Sequence, residues 1–133
     1  MNQKDAPVIK FMGYRVSDIQ YHCSPEFEFP EEHGAYRFNF SKRNTTLTET
    51  EIQEDVRVCV YWDEGVSFEE SQFQLVVEIA GRFQCPAGWQ ERWEMNALAI
   101  MFPYLRSLVS MITCNSGREP IILPTINLSR LFE

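Results

Sequence analysis

No phosphate-binding glycine loop, nucleophile elbow or paired-cysteine metal motif occurs in this 133-residue chain. Its six glycines, at 13, 34, 65, 81, 88 and 117, are scattered singly, so neither a Walker A loop nor a dinucleotide fingerprint can be assembled. No G-x-S-x-G turn presents a serine. The four cysteines, Cys23, Cys59, Cys85 and Cys114, form no C-x-x-C pair, and His22 and His33 follow no zinc-ligand spacing. His22 and Cys23 would point to opposite faces of a strand. No metal and no cofactor is expected. Basic residues are also scarce: 12 Lys and Arg against 19 Asp and Glu give a net charge of −7. That balance argues against nucleic acid as a partner, since phosphate binding draws on clustered cations. It permits a basic protein partner and otherwise serves solubility. No run reaches the ~18 apolar residues of a membrane span, and MNQKDAPVIKF has no apolar signal core. A cytoplasmic protein with reduced thiols and no membrane insertion is expected.

Catalytic constellations are equally thin. The pairs Glu31–Glu32, Asp63–Glu64 and Glu69–Glu70 flank expected strands, where solvated strand ends explain them better than acid–base dyads. Cys85 has no basic residue fixed beside it and reads as a small buried hydrophobe. The chain is not expected to be an enzyme.

What the sequence does hold is periodicity. Residues 1–7 read as a flexible leader to one domain spanning 1–133. From Val8 the pattern is strand-like, with Tyr14 and Val16 on one parity and Ile19, Tyr21 and Cys23 on the other. That switch at Ser17–Asp18 predicts a bulge. The acidic connection SPEFEFPEEHG carries Phe27 and Phe29, which solvated loops rarely hold unless they pack on something. Tyr36, Phe38 and Phe40 alternate with polar residues, as do Val56, Val58, Val60 and Trp62, and then Phe73, Leu75, Val77 and Ile79. Four period-2 segments followed by a change of period after Pro86 predict an α+β domain: a four-stranded antiparallel sheet, then helix.

The helical part is unusually apolar. GWQERWEMNALAIMF suits a short helix, with Pro103 as a kink or as the first turn of a second helix. Leu105, Leu108, Val109 and Ile112 form one stripe; Arg106, Ser107, Ser110 and Thr113 form a narrow polar one, and NSG stops the helix. Met101, Tyr104, Leu108, Met111 and Cys114 are expected to face away from the Leu105–Ile112 side. Together with Phe27, Phe29 and Ile121–Leu123 they are a surplus beyond one core, the kind that ends in an oligomer interface or a binding groove. Five or six such side chains, at roughly 1.5–3 kcal/mol each, suffice to hold protomers together. A thick monomeric core is the plainer reading.

The segment IMFPYLRSLVSMI, followed by LPTINLSRLF, resembles the SecB family of protein-export chaperones. Phe102, Pro103, Tyr104 and Arg106 match that family's F-P-Y-x-R helix, and Asn127, Leu128, Leu131 and Phe132 its L-x-P-x-N-[FL]-x-x-L-[FY] signature. YRVSDIQY is similar to the family's first strand and AGRF to the end of its fourth. The resemblance implies a four-stranded antiparallel, Greek-key-like sheet with a long C-terminal helix packed on it, assembled as a dimer or dimer of dimers. It implies an ATP-independent holdase that binds unfolded polypeptides in hydrophobic grooves. Carried over, the client-binding residues are Phe27, Phe29 and Tyr36 in the crossover and Met101, Tyr104, Leu108 and Met111 on the helix. Aromatics give area at low entropy cost and methionine adapts to varied partners.

The chain also departs from the family. It ends at Glu133, after the L-F signature, without the family's second long helix and basic metal-binding tail. In the acidic face that docks the SecA motor, Asp18 is kept while His22 and Val76 stand where carboxylates are expected. The terminal proline is displaced by one residue, to Pro124. Export through SecA is thus the weaker implication and holding of unfolded chains the stronger. Alternatives are a dedicated interaction module, such as an antitoxin-protecting SecB-like chaperone with no SecA link, and small-molecule binding under the sheet.

Overall fold

Side chains that alternate between oil and water commit each segment to a sheet with one dry face. The computed structural model describes residues 9–30, 36–63, 65–87 and 93–124. Strands β1 (Lys10–Cys23), β2 (Tyr36–Thr46), β3 (Glu51–Trp62) and β4 (Phe73–Gln84) precede one helix, α1 (Glu94–Cys114). All neighbours are antiparallel, in the order β1-β4-β3-β2. Three strands joined in sequence, with β1 returned beside β4, make the expected Greek key. The leader and Asn127 with its motif lie outside the described residues.

Local chemistry sets the register. Thr48 Oγ1 accepts from the Thr50 and Glu51 N–H groups (3.2 and 3.0 Å), closing the β2–β3 turn. Between β3 and β4, Asp63 Oδ1 takes the Gly65 N–H (2.8 Å). The predicted bulge is present: register shifts between Val16 and Asp18. A second shift, between Phe11 and Tyr14, falls at Gly13, whose φ of 106° suits glycine. The first bulge puts Val16 opposite Ile79 and Ile19, Tyr21 and Cys23 opposite Val77, Leu75 and Phe73. Those β4 residues are fully buried, so the apolar parity of β1 faces the helix throughout.

Helix α1 lies over β3 and β4, burying Ala97, Leu98, Met101, Leu105 and Val109. Three expectations change here. Met101 does not lie on an outward stripe: it is fully buried, because β4 offers Gly81, where an added Cβ would sit 2.8 Å from Met101 Sδ. Thr113 is buried rather than on a polar face; its hydroxyl bonds the Val109 carbonyl (2.8 Å) and accepts the Ile121 N–H (2.7 Å). Of the two expectations for Pro103, the start of a second helix is not what occurs; it sits inside one continuous helix of 21 residues. Both Pro103 and Ala99, the residue whose carbonyl loses its donor, are exposed, so water can satisfy that carbonyl. By length and composition α1 is apolar enough to cross a bilayer, as the core helix of a soluble domain also can be; its inner stripe packs on the sheet. The helix ends as NSG predicts, with Asn115 Nδ2 donating to the Met111 carbonyl (2.7 Å) and Gly117 at φ 86°.

One buried charge position interrupts the core. Glu54 on β3 is fully buried. Asn44 Nδ2 donates to its Oε2 (3.1 Å), while Oε1 has no hydrogen-bond partner among the described residues. Glu94, in the first turn of α1, and Lys42 of β2 form an ion pair beside it. Burial first, and the Glu94 charge second, push the Glu54 carboxyl up to about 8, against the opposing pull of Asn44 and Lys42.

Replacing Pro103 with alanine restores a donor on the solvent side, and interior proline costs about 3 kcal/mol. Pro103→Ala should therefore raise the unfolding free energy, by about 1 kcal/mol or more; a lowered value in chemical denaturation would show that the proline shapes α1 to the sheet. The carboxyl of Glu54 ionises near 4.5 when unfolded and near 8 when folded. Its contribution to stability is thus complete below about pH 4.5 and is lost as pH rises toward about 8. Urea midpoints of Glu54→Gln should fall less over that interval than those of the parent; parallel curves would refute the raised ionisation.

Candidate binding surface

A helix about 10 Å across cannot roof four strands spaced about 4.8 Å apart. The β2 flank is closed. Phe102 meets Phe40 (5.8 Å between ring centres), and Arg106 lies over Phe102. The segment after α1 folds back along this flank. The Ser110 hydroxyl donates to the Ile121 carbonyl (3.0 Å), Thr113 takes the Ile121 N–H, and Ile121 and Leu123 are buried.

Among the described residues nothing covers the β1 flank. At 100° per residue, Tyr104, Leu108 and Met111 share the side of α1 opposite Phe102 and Thr113. The Tyr104 ring confirms which strand this side faces, meeting Tyr14 at 4.7 Å and Phe11 at 5.7 Å. Alongside it, the helix-facing row of β1 stays wet: Tyr14, Val16, Ile19 and Tyr21 are each between 37% and 48% exposed. On the helix Tyr104 is 39% and Met111 56% exposed, with Leu108 half-buried. These side chains form one apolar strip with core residues of β4 beneath it, on an edge strand whose outer side pairs with no described strand.

At the Cys23 end of β1 the strip reaches an aromatic cluster. Phe27 is buried, stacked on Phe73 (5.9 Å) and set edge-on to Phe29 (5.5 Å) and Trp62 (6.1 Å). Tyr36, also buried, abuts Trp62 and Phe73. Arg118 caps the group, its guanidinium 4.7 Å from the Phe29 ring centre and bonded to the Tyr36 hydroxyl. Burial raises the Tyr36 phenol, against the pull of Arg118, so it stays a neutral hydrogen-bonding group.

Of the seven residues expected to contact clients, Phe29, Tyr104, Leu108 and Met111 reach the surface; Phe27, Tyr36 and Met101 lie beneath it. Sequence reasoning missed Tyr14, Val16, Ile19 and Tyr21 as surface residues. Their parity was readable; their exposure depends on how far α1 extends sideways. The F-P-Y-x-R motif has a structural account in Phe102 and Arg106, while Tyr104 belongs to the strip.

On the opposite face of the sheet, Asp18 does not present a free carboxylate: Arg57 holds it at 3.2 Å and Gln20 donates to it at 2.9 Å. Val76 is buried. No cluster of three or more His, Cys, Asp or Glu suited to a metal occurs among the described residues. Cys85 is buried and its thiol pushed up by desolvation, a packing residue as expected.

No family model matches the chain. An uncharacterized protein of Methanocaldococcus jannaschii, MJ0357, is 30% identical over 127 residues, covering 91% of this chain and 80% of that protein. The chain belongs to that protein's family. Its fold is SecB-like: the SecB-like chaperone Rv1957 of Mycobacterium tuberculosis, solved with a ChAD peptide from the HigA1 antitoxin Rv1956, superposes with a TM-score of 0.65. The two are 14% identical, with 89% of this chain and 90% of that one covered. A protein of unknown function from Streptococcus agalactiae matches at a TM-score of 0.56 and 14% identity, over 90% of this chain and 99% of its own. In this SecB-like domain the expected sheet and helix stand.

Truncating a buried aromatic costs about 3–5 kcal/mol. Phe27→Ser should thus lose about that much stability in denaturant titration, whereas Phe29→Ser, at the surface, should lose about 1 kcal/mol or less. Equal losses would contradict the placement of the two rings.

Proposed function

We propose that this protein is an ATP-independent chaperone that holds non-native polypeptides on the strip between β1 and α1. The observation that carries this reading is a continuous, half-exposed apolar strip on a chain that is otherwise acidic and charged. Monomeric soluble proteins seldom leave such patches unused. From Tyr14 to Tyr21 the strip runs roughly 23 Å at ~3.3 Å per residue, long enough for a short extended segment. Tyrosines supply rigid area and Met111 an adaptable contact, so affinity comes from area rather than from a sequence code. The peptide held by the SecB-like chaperone of similar fold supports polypeptides as the partner class.

Self-association draws on the same surplus. A homo-oligomer, dimer or dimer of dimers, would cover part of the strip and leave the rest for clients, with Phe29 at its end. The protein works in the cytoplasm on this reading. A link to SecA is the weaker part. Asp18 is neutralised by Arg57, and His22 and Val76 replace the carboxylates expected beside it. A dedicated client, as an antitoxin is, fits the same surface.

The test is suppression of light scattering by an unrelated, denatured protein diluted from guanidinium. The parent should suppress aggregation at stoichiometric ratios without nucleotide. Ile19→Ser combined with Tyr104→Ser, both exposed in this chain, should reduce suppression several-fold while circular dichroism stays unchanged. A parent protein that leaves scattering untouched excludes the general holdase, and retained suppression in the double variant moves the site elsewhere.

A further inference from the structure

The helix-free face carries a second site of opposite character. A concavity of about 510 Å³ opens beside the two bulges of β1. Registers of the three strand pairs set one transverse row of side chains: Arg15 on β1, Ala80 on β4, Asp55 on β3 and Arg43 on β2. Ala80, the small member, is the floor. One step along β4, Arg82 lies opposite Gln53 on β3 and projects to the same side. All three arginines line the concavity.

Their charges are not equally used. Asp55 Oδ2 accepts from Arg43 Nε at 3.3 Å, and Gln53 donates to Asp55 Oδ1 at 3.2 Å. Glu78, also in the lining, accepts the Ser17 hydroxyl at 3.0 Å and lies 4.0 Å from Arg57. Arg15 and Arg82 form no ion pair with any described residue, and both are exposed. On a chain of net charge −7, a hollow with two uncommitted guanidinium groups is a local reversal of sign, and guanidinium forks match carboxylates in pairs.

We propose that this concavity binds a short acidic segment of a partner polypeptide, with Arg15 and Arg82 each holding one carboxylate. Spacing selects that ligand. As diagonal neighbours on adjacent strands, Arg15 and Arg82 have Cα atoms about 7–8 Å apart. Residues two apart in an extended peptide lie on one side at about 6.6–6.8 Å. Carboxylates at alternate positions therefore meet the two forks without bending the backbone. The site shares no residue with the strip except Tyr14, whose position at the bulge borders both. It gives the protein a second, charge-read contact independent of apolar capture.

A fluorescein-labelled peptide, GEAEAEG, titrated in an anisotropy assay tests this directly, with GKAKAKG as control. The acidic peptide should bind and the basic one should not. Affinity should fall as salt rises from about 50 mM to about 500 mM. Arg15→Gln with Arg82→Gln should weaken binding at least tenfold, whereas Ile19→Ser with Tyr104→Ser, which disables the strip, should leave it unchanged. Equal binding by the arginine variant overturns the proposal. So does loss of binding in the strip variant, which would merge the two sites. Saturable binding of inorganic phosphate by the parent, with none of GEAEAEG, would assign the hollow to a small anion and overturn the peptide reading.

Discussion

The structure depends on a mismatch of widths. Four strands at about 4.8 Å spacing present a face wider than one helix can roof, so docking α1 on β3 and β4 leaves two uncovered flanks. On one, Phe102 and the returning segment at Ile121 and Leu123 finish the core. On the other, β1 adds apolar side chains and nothing among the described residues covers them. Among the described residues, the strip is the remainder of a covering problem solved on one side. Its position follows from two small choices: Gly81, which lets Met101 sink so that α1 sits close to β4, and Thr113 with Ser110, whose hydroxyls bind the returning chain to the β2 side.

The two faces of the sheet divide labour by the alternation that makes strands. On the helix side the polar exception is Glu54. It sits in the core because Asn44, Lys42 and Glu94 share its site at the start of α1. A carboxylate in the first helical turn, here Glu94, favours the helix dipole, and Lys42 ties that turn to β2. On the open side, charges form short networks, Arg57 with Asp18 and Glu78, Arg43 with Asp55, Arg37 with Asp63. The two faces therefore differ in chemistry, oil toward α1 and paired charge away from it.

Much of the fold was legible because it rests on short-range periodicity. Alternation fixed the strands, and the parity break at Ser17–Asp18 located the bulge. What failed needed tertiary information. A helical wheel shows that Met101, Tyr104, Leu108 and Met111 lie to one side of Leu105. It does not show where the sheet ends, so Met101 looked as outward as Met111. Thr113 looked polar because its partner, the Ile121 N–H, comes from the chain beyond the helix. Pro103 looked like a kink or a boundary because its cost was read for an average helix interior, whereas here Ala99, whose carbonyl loses its donor, is exposed. Phe27 was rightly flagged as too apolar for a loop, yet the pairing of Phe27 with Phe73 and of Phe29 with Arg118 exists only once the crossover returns over β4. Arg15 and Arg82 carry no signal in sequence; strand register alone makes them neighbours.

An exposed apolar edge strand is ordinarily a hazard, since unpaired backbone and oil together template aggregation. Two features of β1 restrain it. The bulges at Gly13 and Ser17 break the flat hydrogen-bonding edge that a second sheet would need for long pairing. Charged or polar residues, Arg15, Asp18, Gln20 and His22, occupy the opposite parity, so a segment that reaches the strip from the wrong face meets charge. The apolar row is thus open to side chains from the helix side and guarded against indiscriminate edge pairing. Both restraints follow from the same parity switch that sets the register of β1.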